Sequence, residues 1–433
     1  MPEKCPLEVI PHVLAALEDR PDRPGPLVWV YPLDEYHEMT FSNNPRLEEP
    51  FFADWFMRAA INNGLPLNTV VSSKNYLTSS RAAPDLYRES VLVTTVPASG
   101  SPLAAALARH VQSGGKLLLY GPLDCADEAI RKLLNLRLDD PIAGRLEIDL
   151  RTNPDRLAER GYATQIQHRE AMSAGGCREV LADPKDAATH VTAVVSRDKS
   201  QRVAALWREV SASGGRAAWV RGTNSNAYAG GHLLTPDDPK LWFQGDLLMR
   251  FVLEGFGYRL SVGKQSPEQR NPVMTIARHE NGFWFSGYVP NTNVELRLQL
   301  PQGAPLLSGM ETRLADGLAC YRLPRAWHRE CRVFVVQREG ELSCIEQHSG
   351  EIGVARRMLV TGLNDATLRF YPEPTRTRVT FQPNPKFPFT DGPFVKPQPR
   401  DDVLGEHLAV EHVSGSLLIS WGSDTQPAAS PCP

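Results

Sequence analysis

The 433-residue chain has few cysteines, no large excess of either charge and no long apolar segment. No stretch reaches the roughly 18 uninterrupted apolar residues of a membrane span, so we expect no membrane partner. The formal net charge is −3, and without a basic excess we also expect no nucleic-acid partner. The first residues lack an apolar run behind a basic start, which predicts that there is no signal peptide.

Seven cysteines are scattered over the whole chain. An odd number without a dense framework predicts reduced thiols and a cytoplasmic location. Hydrophobic residues make up 42% and charged residues 22%, which is ordinary for a globular protein whose length allows two or three domains. With 32 glycines and 36 prolines, the composition favours many turns and a large β content.

Strand and helix patterns alternate through the first part of the chain. Residues 27–32 form a short apolar run typical of a buried parallel strand. In the clearest helix, Ser101 is the cap, Pro102 takes the first position, and leucines recur every fourth residue up to Val111. Alternation of this kind predicts a mostly parallel, doubly wound sheet. The other predicted elements are strands at 68–71, 91–96 and 116–121 and helices at 51–63 and 126–135.

The pattern is mixed from about residue 145 and changes to a two-residue alternation beyond about 262. In 294–300, polar residues alternate with three leucines, so one face of this strand is predicted to be exposed to solvent and the other to be packed against the core. Short strands continue at intervals of about ten residues to 371, which predicts a β-sandwich. The mixed region is predicted to hold a strand at 146–150, a small antiparallel set at 176–182, 189–195 and 202–208, a strand at 216–222 and a helix at 240–257.

These patterns predict four segments. An N-terminal extension covers 1–23, and an α/β domain covers 24–262. A β-sandwich domain covers 263–372, and a proline-rich tail with short strands and a disordered end covers 373–433.

Charged residues directly follow the first predicted strand, at the carboxyl end where open α/β sheets bind ligands. Asp34, Glu35 and Glu38 are candidate catalytic acids and bases, and His37 is a candidate ligand contact. The competing interpretation is a solvated loop whose charges form ion pairs with nearby arginines.

Aromatic residues near turns are candidates for stacking on a ligand, whereas aromatics inside apolar strands are predicted to be core. Tyr31, Tyr36 and Trp327 belong to the first group. Asp54 and Asp124 are expected to assist from neighbouring strand ends. All five are candidate ligand contacts.

One segment has zinc-like spacing: His328-x-x-Cys331 is followed by Cys344-x-x-x-His348. A hairpin turning at 339–340 would set Cys331 opposite His348 and Cys344 about 13 Å along the strand. That separation is too great for a tetrahedral site with bonds of about 2.3 Å. The sequence therefore predicts no metal site, and nothing in it indicates a cofactor.

Three stretches resemble the non-catalytic part of microbial family-42 β-galactosidases. Residues 26–32 with Phe52-x-x-Trp55-Phe-x-x-Ala59 are similar to the first strand and helix of their trimerisation domain, 91–119 to its next strand, helix and strand, and 215–221 to a late strand. The resemblance covers about residues 24–260. It implies a flavodoxin-like or class I glutamine-amidotransferase-like doubly wound domain without glutaminase chemistry. The following β-sandwich is similar in position to the C-terminal β-domain of those enzymes.

The chain departs from that family in one respect. In those enzymes the catalytic glutamates lie on a (β/α)₈ barrel of about 250 residues that precedes this domain, and fewer than 30 residues precede the first strand here. No catalytic glutamate is carried over. Cys125 follows the fourth predicted strand in a Gly-Pro-Leu-Asp turn that lacks the pattern of a nucleophile elbow, so we predict a structural thiol.

The resemblance implies an auxiliary module that mediates oligomerisation and completes the active site of a carbohydrate-active enzyme. Its expected partners are a catalytic-barrel polypeptide, further copies of this chain in a homo-oligomer, and a glycan. The alternative is a free-standing glycoside hydrolase that uses the carboxylates after the first strand, which would have to form a pair about 5–5.5 Å or 6.5–9.5 Å apart. A second alternative is a carbohydrate-binding protein without turnover.

Overall fold

The computed structural model divides the chain into two compact units. One contains 24–258 with 262–274 and is called the α/β unit, and the other contains 1–23, 259–261 and 275–433 and is called the β-rich unit. The described residues are 10–18, 20–33, 36, 57, 60–61, 64–142, 147–151, 165–167, 176–210, 212–221, 245–265, 269, 271–290, 293–347, 356–374, 378–386, 393–402 and 405–422.

Helices are few among the described residues. They are α1 (Ile10–Glu18), α2 (Ser73–Ala82), α3 (Pro102–Gln112), α4 (Glu128–Leu133) and α5 (Gly245–Glu254). No described helix combines the length and the apolar character needed to cross a membrane.

The strands up to residue 220 belong to the α/β unit. They are β1 (Leu27–Tyr31), β2 (Thr69–Ser72), β3 (Val91–Thr95), β4 (Lys116–Tyr120), β5 (Leu136–Ile142), β6 (Glu147–Leu150), β7 (Gln165–Gln167), β8 (Cys177–Leu181), β9 (Thr189–Arg197), β10 (Ser200–Glu209) and β11 (Arg216–Val220). Nine of these described strands form one sheet in the order β2-β1-β3-β4-β11-β10-β9-β6-β7, and β5 pairs with β8 apart from it.

The parallel part of this sheet runs from β2 to β11. Neighbouring strands there are parallel, whereas β10, β9, β6 and β7 add antiparallel strands beyond β11. All five residues of β4 are buried, as expected for a strand covered on both faces. The predicted parallel strands and their α/β setting are confirmed.

Helix α3 forms as its sequence predicts. The Ser101 hydroxyl accepts a hydrogen bond from the Leu103 N–H at 3.2 Å, and Pro102 occupies the first turn. Leu103, Leu107 and Val111 are buried and pack in the core of the α/β unit. These contacts bury one apolar face of α3, which is the main source of helix stability in a folded domain.

The remaining strands lie wholly or partly in the β-rich unit. They are β12 (Arg259–Gly263), β13 (Val273–His279), β14 (Gly282–Tyr288), β15 (Glu295–Gln299), β16 (Ala304–Leu306), β17 (Glu311–Ala315), β18 (Leu318–Arg322), β19 (Ala326–Cys331), β20 (Val333–Val336), β21 (Gly340–Gln347), β22 (Arg356–Phe370), β23 (Arg378–Pro383), β24 (Gln398–Asp402) and β25 (Gly405–Gly422). The described residues form an 11-stranded sheet and a three-stranded sheet of order β13-β14-β19.

Aromatic side chains join the two sheets of the β-rich unit. Phe283 of β14, in the three-stranded sheet, lies 5.2 Å from Phe334 of β20 and 5.4 Å from Tyr371, measured between ring centroids. All three rings are fully buried. Edge-to-face packing of this kind adds about 0.5–1.5 kcal/mol per pair beyond burial. The prediction of a β-rich second part is confirmed.

Several predicted pairings are wrong. The hairpin at 339–340 does not form, because β20 and β21 each pair with β22 instead of with each other. Strand β8 pairs with β5 and not with β9. Instead of the short strands predicted up to 371, residues 356–370 form one 15-residue strand, β22, with shifts in register where it pairs with β25. Residues 405–422 are also one 18-residue strand, longer than the short strands predicted for the tail.

Candidate functional site

The parallel strands of the α/β unit end together at one edge of the sheet. Strand β1 ends at Tyr31, β3 at Thr95, β4 at Tyr120 and β11 at Val220. Strand β1 pairs with β2 on one side and with β3 on the other, so the order of strands reverses there. Open α/β sheets bind ligands beyond the carboxyl ends of their strands at such a switch point. We call the residues that follow these four strands, with those that contact them, the carboxyl edge.

Aromatic rings fill the β1 side of the carboxyl edge. The Trp29 indole N–H donates a hydrogen bond of 3.1 Å to the Tyr120 hydroxyl. The Tyr31 ring lies edge-to-face with Trp29 at 4.9 Å and with Tyr36 at 5.7 Å. Tyr36 is buried, whereas Tyr31 is half-buried and the more accessible of the two. The structure thus brings Tyr31 and Tyr36 together, and their role as ligand contacts stays a prediction.

The residue directly after β4 is Gly121, in the left-handed region with a φ of 114°. Its N–H donates to the Val220 carbonyl at 3.0 Å, and its carbonyl accepts from the Trp219 indole at 2.9 Å. No atom lies within 4 Å of where a Cβ would stand. Hydrolases place a nucleophile on a sharp, strained turn after such a strand, and here that position has no side chain. Cys125 comes four residues later and is exposed.

The loops after β3 and β4 are joined by hydrogen bonds. The Ser99 N–H donates to the Cys125 carbonyl at 2.8 Å, and the Gly100 N–H donates to the Asp127 carboxylate at 3.2 Å. Asp127 also caps α4 by accepting from the Ala129 N–H at 2.8 Å. These bonds from Ala129 and Gly100 lower the pKa of Asp127, because they favour its charged form. Asp127 is therefore a capping residue.

A buried ion pair underlies the carboxyl edge at the end of β11. The Arg221 Nε lies 3.3 Å from the Glu179 carboxylate, and the two side chains are 1% and 0% exposed. Glu179 also accepts from the N–H groups of Leu123 at 3.3 Å and Arg178 at 3.0 Å, and Arg221 donates to the Gly176 carbonyl at 2.9 Å. Buried charges require such partners, because an unpaired one is strongly destabilising.

Sequence reasoning missed this pair. Arg221 follows the apolar residues of β11, and the prediction treated 216–222 as a plain apolar strand. A charged residue at the end of a buried strand was the available signal. Nothing in the sequence identified Glu179 as its partner, because the two residues are brought together only by the fold.

Asp124 lies in the loop after β4 and pairs with Arg178, which directly precedes Glu179 of the buried pair. Its carboxylate is 3.4 Å from the Arg178 guanidinium, and the two side chains are 39% and 40% exposed. An exposed pair of this kind contributes about 0–1 kcal/mol.

Next to Arg178, burial raises the pKa of the Cys177 thiol to about 11, so this thiol is a poor nucleophile at neutral pH.

Five predicted site residues lie outside the described part of the chain, namely Asp34, Glu35, His37, Glu38 and Asp54. Their roles stay predictions.

Trp327 belongs to β19 of the β-rich unit and is fully buried, contrary to the expectation of a ring near a loop. A Cβ on Gly287 would lie 2.0 Å from the Trp327 ring, so this tryptophan is packed directly on neighbouring backbone.

The β-rich unit contains a network of five charged residues. Arg356 contacts the carboxylates of Glu330 and Glu373 at 2.6 Å each and that of Glu346 at 2.8 Å. Arg332 contacts Glu330 at 2.5 Å. Glu330 stands on the three-stranded sheet and Arg356 on the 11-stranded sheet. Because each carboxylate is bound by a guanidinium, this network links the two sheets and does not offer a free acid–base pair.

The described residues contain no group of three or more histidine, cysteine, aspartate or glutamate side chains that could hold a metal ion. Burial raises the pKa of Cys344 to about 12 and that of Cys331 well above its usual value. Both thiols are therefore protonated at neutral pH and are poor nucleophiles. His348 lies outside the described residues.

No protein-family model and no curated protein matches the chain. Among solved structures, it is similar to an exo-β-1,4-mannosidase from Opitutaceae bacterium strain TAV5, with 15% identity, a TM-score of 0.33, and coverage of 46% of this chain and 31% of the mannosidase. It is similar to α-L-fucosidase isoenzyme 2 from Paenibacillus thiaminolyticus, with 10% identity, a TM-score of 0.39, and coverage of 95% and 51%.

A third similar structure comes from Thermoplasma acidophilum and is named as part of a GMP synthase. It is 10% identical, has a TM-score of 0.29, and is covered over 93% of its length by 53% of this chain. This chain therefore spans about a third of the mannosidase and about half of the fucosidase. The first two of these similar structures are glycoside hydrolases, and the TM-scores are too low to assign this chain to a family.

Proposed function

We propose that this chain is an auxiliary, non-catalytic module of a carbohydrate-active enzyme, as its resemblance to part of the family-42 β-galactosidases implies. The α/β unit joins copies of the chain and helps to wall an active site that a catalytic-barrel polypeptide supplies. The β-rich unit contributes contacts to the glycan.

The order of the parallel strands supports this proposal. From β2 to β11 the order is second, first, third, fourth and a later fifth strand, which is the order of flavodoxin-like doubly wound sheets. The segment 91–119, on which the resemblance depends, contains β3, α3 and β4 in the expected sequence. A parallel sheet of this kind is the scaffold that the trimerisation domain requires.

The observation that carries the proposal is the absence of a side chain at Gly121. In α/β hydrolases, the sharp turn directly after a buried parallel strand holds the nucleophile. Gly121 has none, and in the described carboxyl edge the acidic side chains of Asp127 and Glu179 are engaged in a helix cap and a buried ion pair. Asp124 is in an exposed ion pair. These groups form a wall and do not supply a reaction centre.

The test uses the full chain, alone and mixed with a candidate barrel polypeptide. We expect no hydrolysis of aryl-glycosides by the chain alone, and elution on gel filtration as an oligomer that shifts to a larger complex when the barrel is added. Turnover by the chain alone that is abolished in Glu35→Gln and kept in Glu311→Gln, a control at an exposed position, would establish the free-standing hydrolase instead.

A further inference from the structure

Alternation along β14 places three side chains on one face of the three-stranded sheet. Phe283 and Phe285 are buried, and Phe283 packs against the 11-stranded sheet. Trp284, Ser286 and Tyr288 therefore point to the opposite face. Helix α1 packs against β14 and β19, and all three side chains remain half-buried.

The neighbouring strand completes this face. His328 of β19 lies directly opposite Ser286 in the antiparallel ladder. The Ser286 Oγ is 2.8 Å from the His328 Nδ1, and the Trp284 and His328 rings stack with centroids 4.9 Å apart and 12° between their planes. The Arg325 guanidinium lies 6.0 Å from the Tyr288 ring centroid. We call these five residues the outer stripe.

A serine bonded to a histidine also occurs in hydrolases, but the backbone here does not suit that chemistry. A serine nucleophile requires backbone N–H groups free to bind an oxyanion. Strand β14 is the middle strand of its sheet, so its N–H groups are used in the ladders to β13 and β19. Ser286 and His328 are consequently better suited to hydrogen bonding with a ligand than to attack on one.

From this arrangement we infer that the outer stripe is a saccharide-binding site. Aromatic rings pack against the apolar C–H face of a sugar, while hydroxyl, imidazole and guanidinium groups bind its hydroxyls. Trp284 and Tyr288 are four residues apart, about 13 Å along the strand, so the stripe is long enough for an oligosaccharide and not only for one ring. The inference adds a glycan site to the proposed auxiliary function and does not depend on the partner barrel.

Affinity electrophoresis of the full chain tests the site directly. The probes are gels containing β-1,4-galactan, β-1,4-mannan, xylan or hydroxyethylcellulose. We expect at least one of them to retard the chain, and Tyr288→Ala to lower the association constant about five- to tenfold through lost stacking. Ser286→Ala should weaken binding as well. Phe394→Ala is the matched control, since Phe394 is an aromatic 61% exposed in the same unit, and it should bind as the unaltered chain does.

Thermal unfolding shows whether each variant folds. If Tyr288→Ala does not fold, the binding of Ser286→Ala decides the question. The site is disproved if no polysaccharide retards the unaltered chain, or if folded variants of the outer stripe bind as tightly as Phe394→Ala. Such a result leaves complex formation with a barrel polypeptide untouched, so the failure of this inference is distinct from failure of the proposed function.

Discussion

Replacing Arg221 with methionine tests how the carboxyl edge is held together. The change removes the guanidinium and keeps an apolar side chain of similar length. Of its contacts with described residues, the fully buried Glu179 would keep the hydrogen bonds from the N–H groups of Leu123 and Arg178, at 3.3 and 3.0 Å. Breaking a buried pair by removing one partner costs about 3–5 kcal/mol, so we expect the free energy of unfolding of the α/β unit to fall by that amount.

This loss is large enough to measure in several ways. For a unit of this size, 1 kcal/mol corresponds to about 2–4 °C in Tm, so Arg221→Met should unfold about 6–20 °C earlier. The double variant Glu179→Gln with Arg221→Met removes both charges and keeps an acceptor for one of the two N–H groups, which bind different carboxylate oxygens. It should therefore lose less than the sum of the single variants, with a coupling energy of about 1–3 kcal/mol.

Arg178→Met is the matched control, because its guanidinium pairs with Asp124 at the surface and such pairs contribute about 0–1 kcal/mol. Urea unfolding followed by far-ultraviolet circular dichroism gives the free energies, provided that the slope against urea is unchanged. The reasoning is refuted if Arg221→Met loses no more stability than Arg178→Met. It also fails if the single effects add to the double variant within about 0.5 kcal/mol.

Three further predictions concern packing, pH and thiols. Gly115→Ala should lower stability by about 1–3 kcal/mol, because its Cβ would lie 2.2 Å from the His110 Nε2, and adding His110→Ala should restore Tm. Burial is the largest influence on the pKa of Glu373 and raises it. The hydrogen bonds from Arg356 and Trp421, together with the nearby charge of Arg332, outweigh burial, so the pKa is lowered. This carboxylate should therefore stabilise the β-rich unit at neutral pH, and the stabilisation should be lost as the pH falls through the lowered pKa. In Arg356→Gln, the urea midpoint should depend less on pH in the acid range. Alkylation of the native chain followed by peptide mass spectrometry should label Cys125, which is exposed, and spare the four buried free cysteines among the described residues.

Each of these predictions has a contradicting result. A Gly115→Ala chain as stable as its parent would show that the His110 ring moves aside at no cost. A urea midpoint that decreases equally at acid pH with and without Arg356 would assign the pH dependence to other carboxylates. Labelling of the buried thiols as fast as Cys125 would mean that their surroundings open readily.

Local patterns were sufficient to predict the parallel part of the α/β unit. Residues 27–31 and 116–120 are short apolar runs, and both are buried parallel strands in the structure. The α3 helix combines a cap, a proline at its start and a regular apolar face, so local and tertiary preferences agree. Helix α2 was missed because Ser73 and Tyr76 are its buried residues, and one aromatic among polar residues leaves no apolar period to detect.

Pairing between distant strands could not be predicted in the same way. A hairpin at 339–340 was expected because adjacent strands often pair, yet β20 and β21 pair with two different parts of β22, residues 367–370 and 357–361. Strand β22 also pairs along its length with β25, which begins at residue 405. Such pairings depend on the total burial of both faces and not on the turn between neighbours. The same limit applies to the candidate site, since Glu179 and Arg221 are separated by more than forty residues and meet only after the sheet has formed.

The described part of the carboxyl edge is better suited to rigidity than to catalysis, and this has a consequence for the proposed function. A general acid or base requires a titratable group whose proton can move at the operating pH. Glu179 is instead paired with a buried guanidinium, and hydrogen bonds lower the pKa of Asp127 further from neutrality. Gly121 leaves open space where a nucleophile would stand. Under the proposed function, this surface of fixed charges and packed aromatic rings holds a neighbouring polypeptide in register, and that polypeptide supplies the reacting groups.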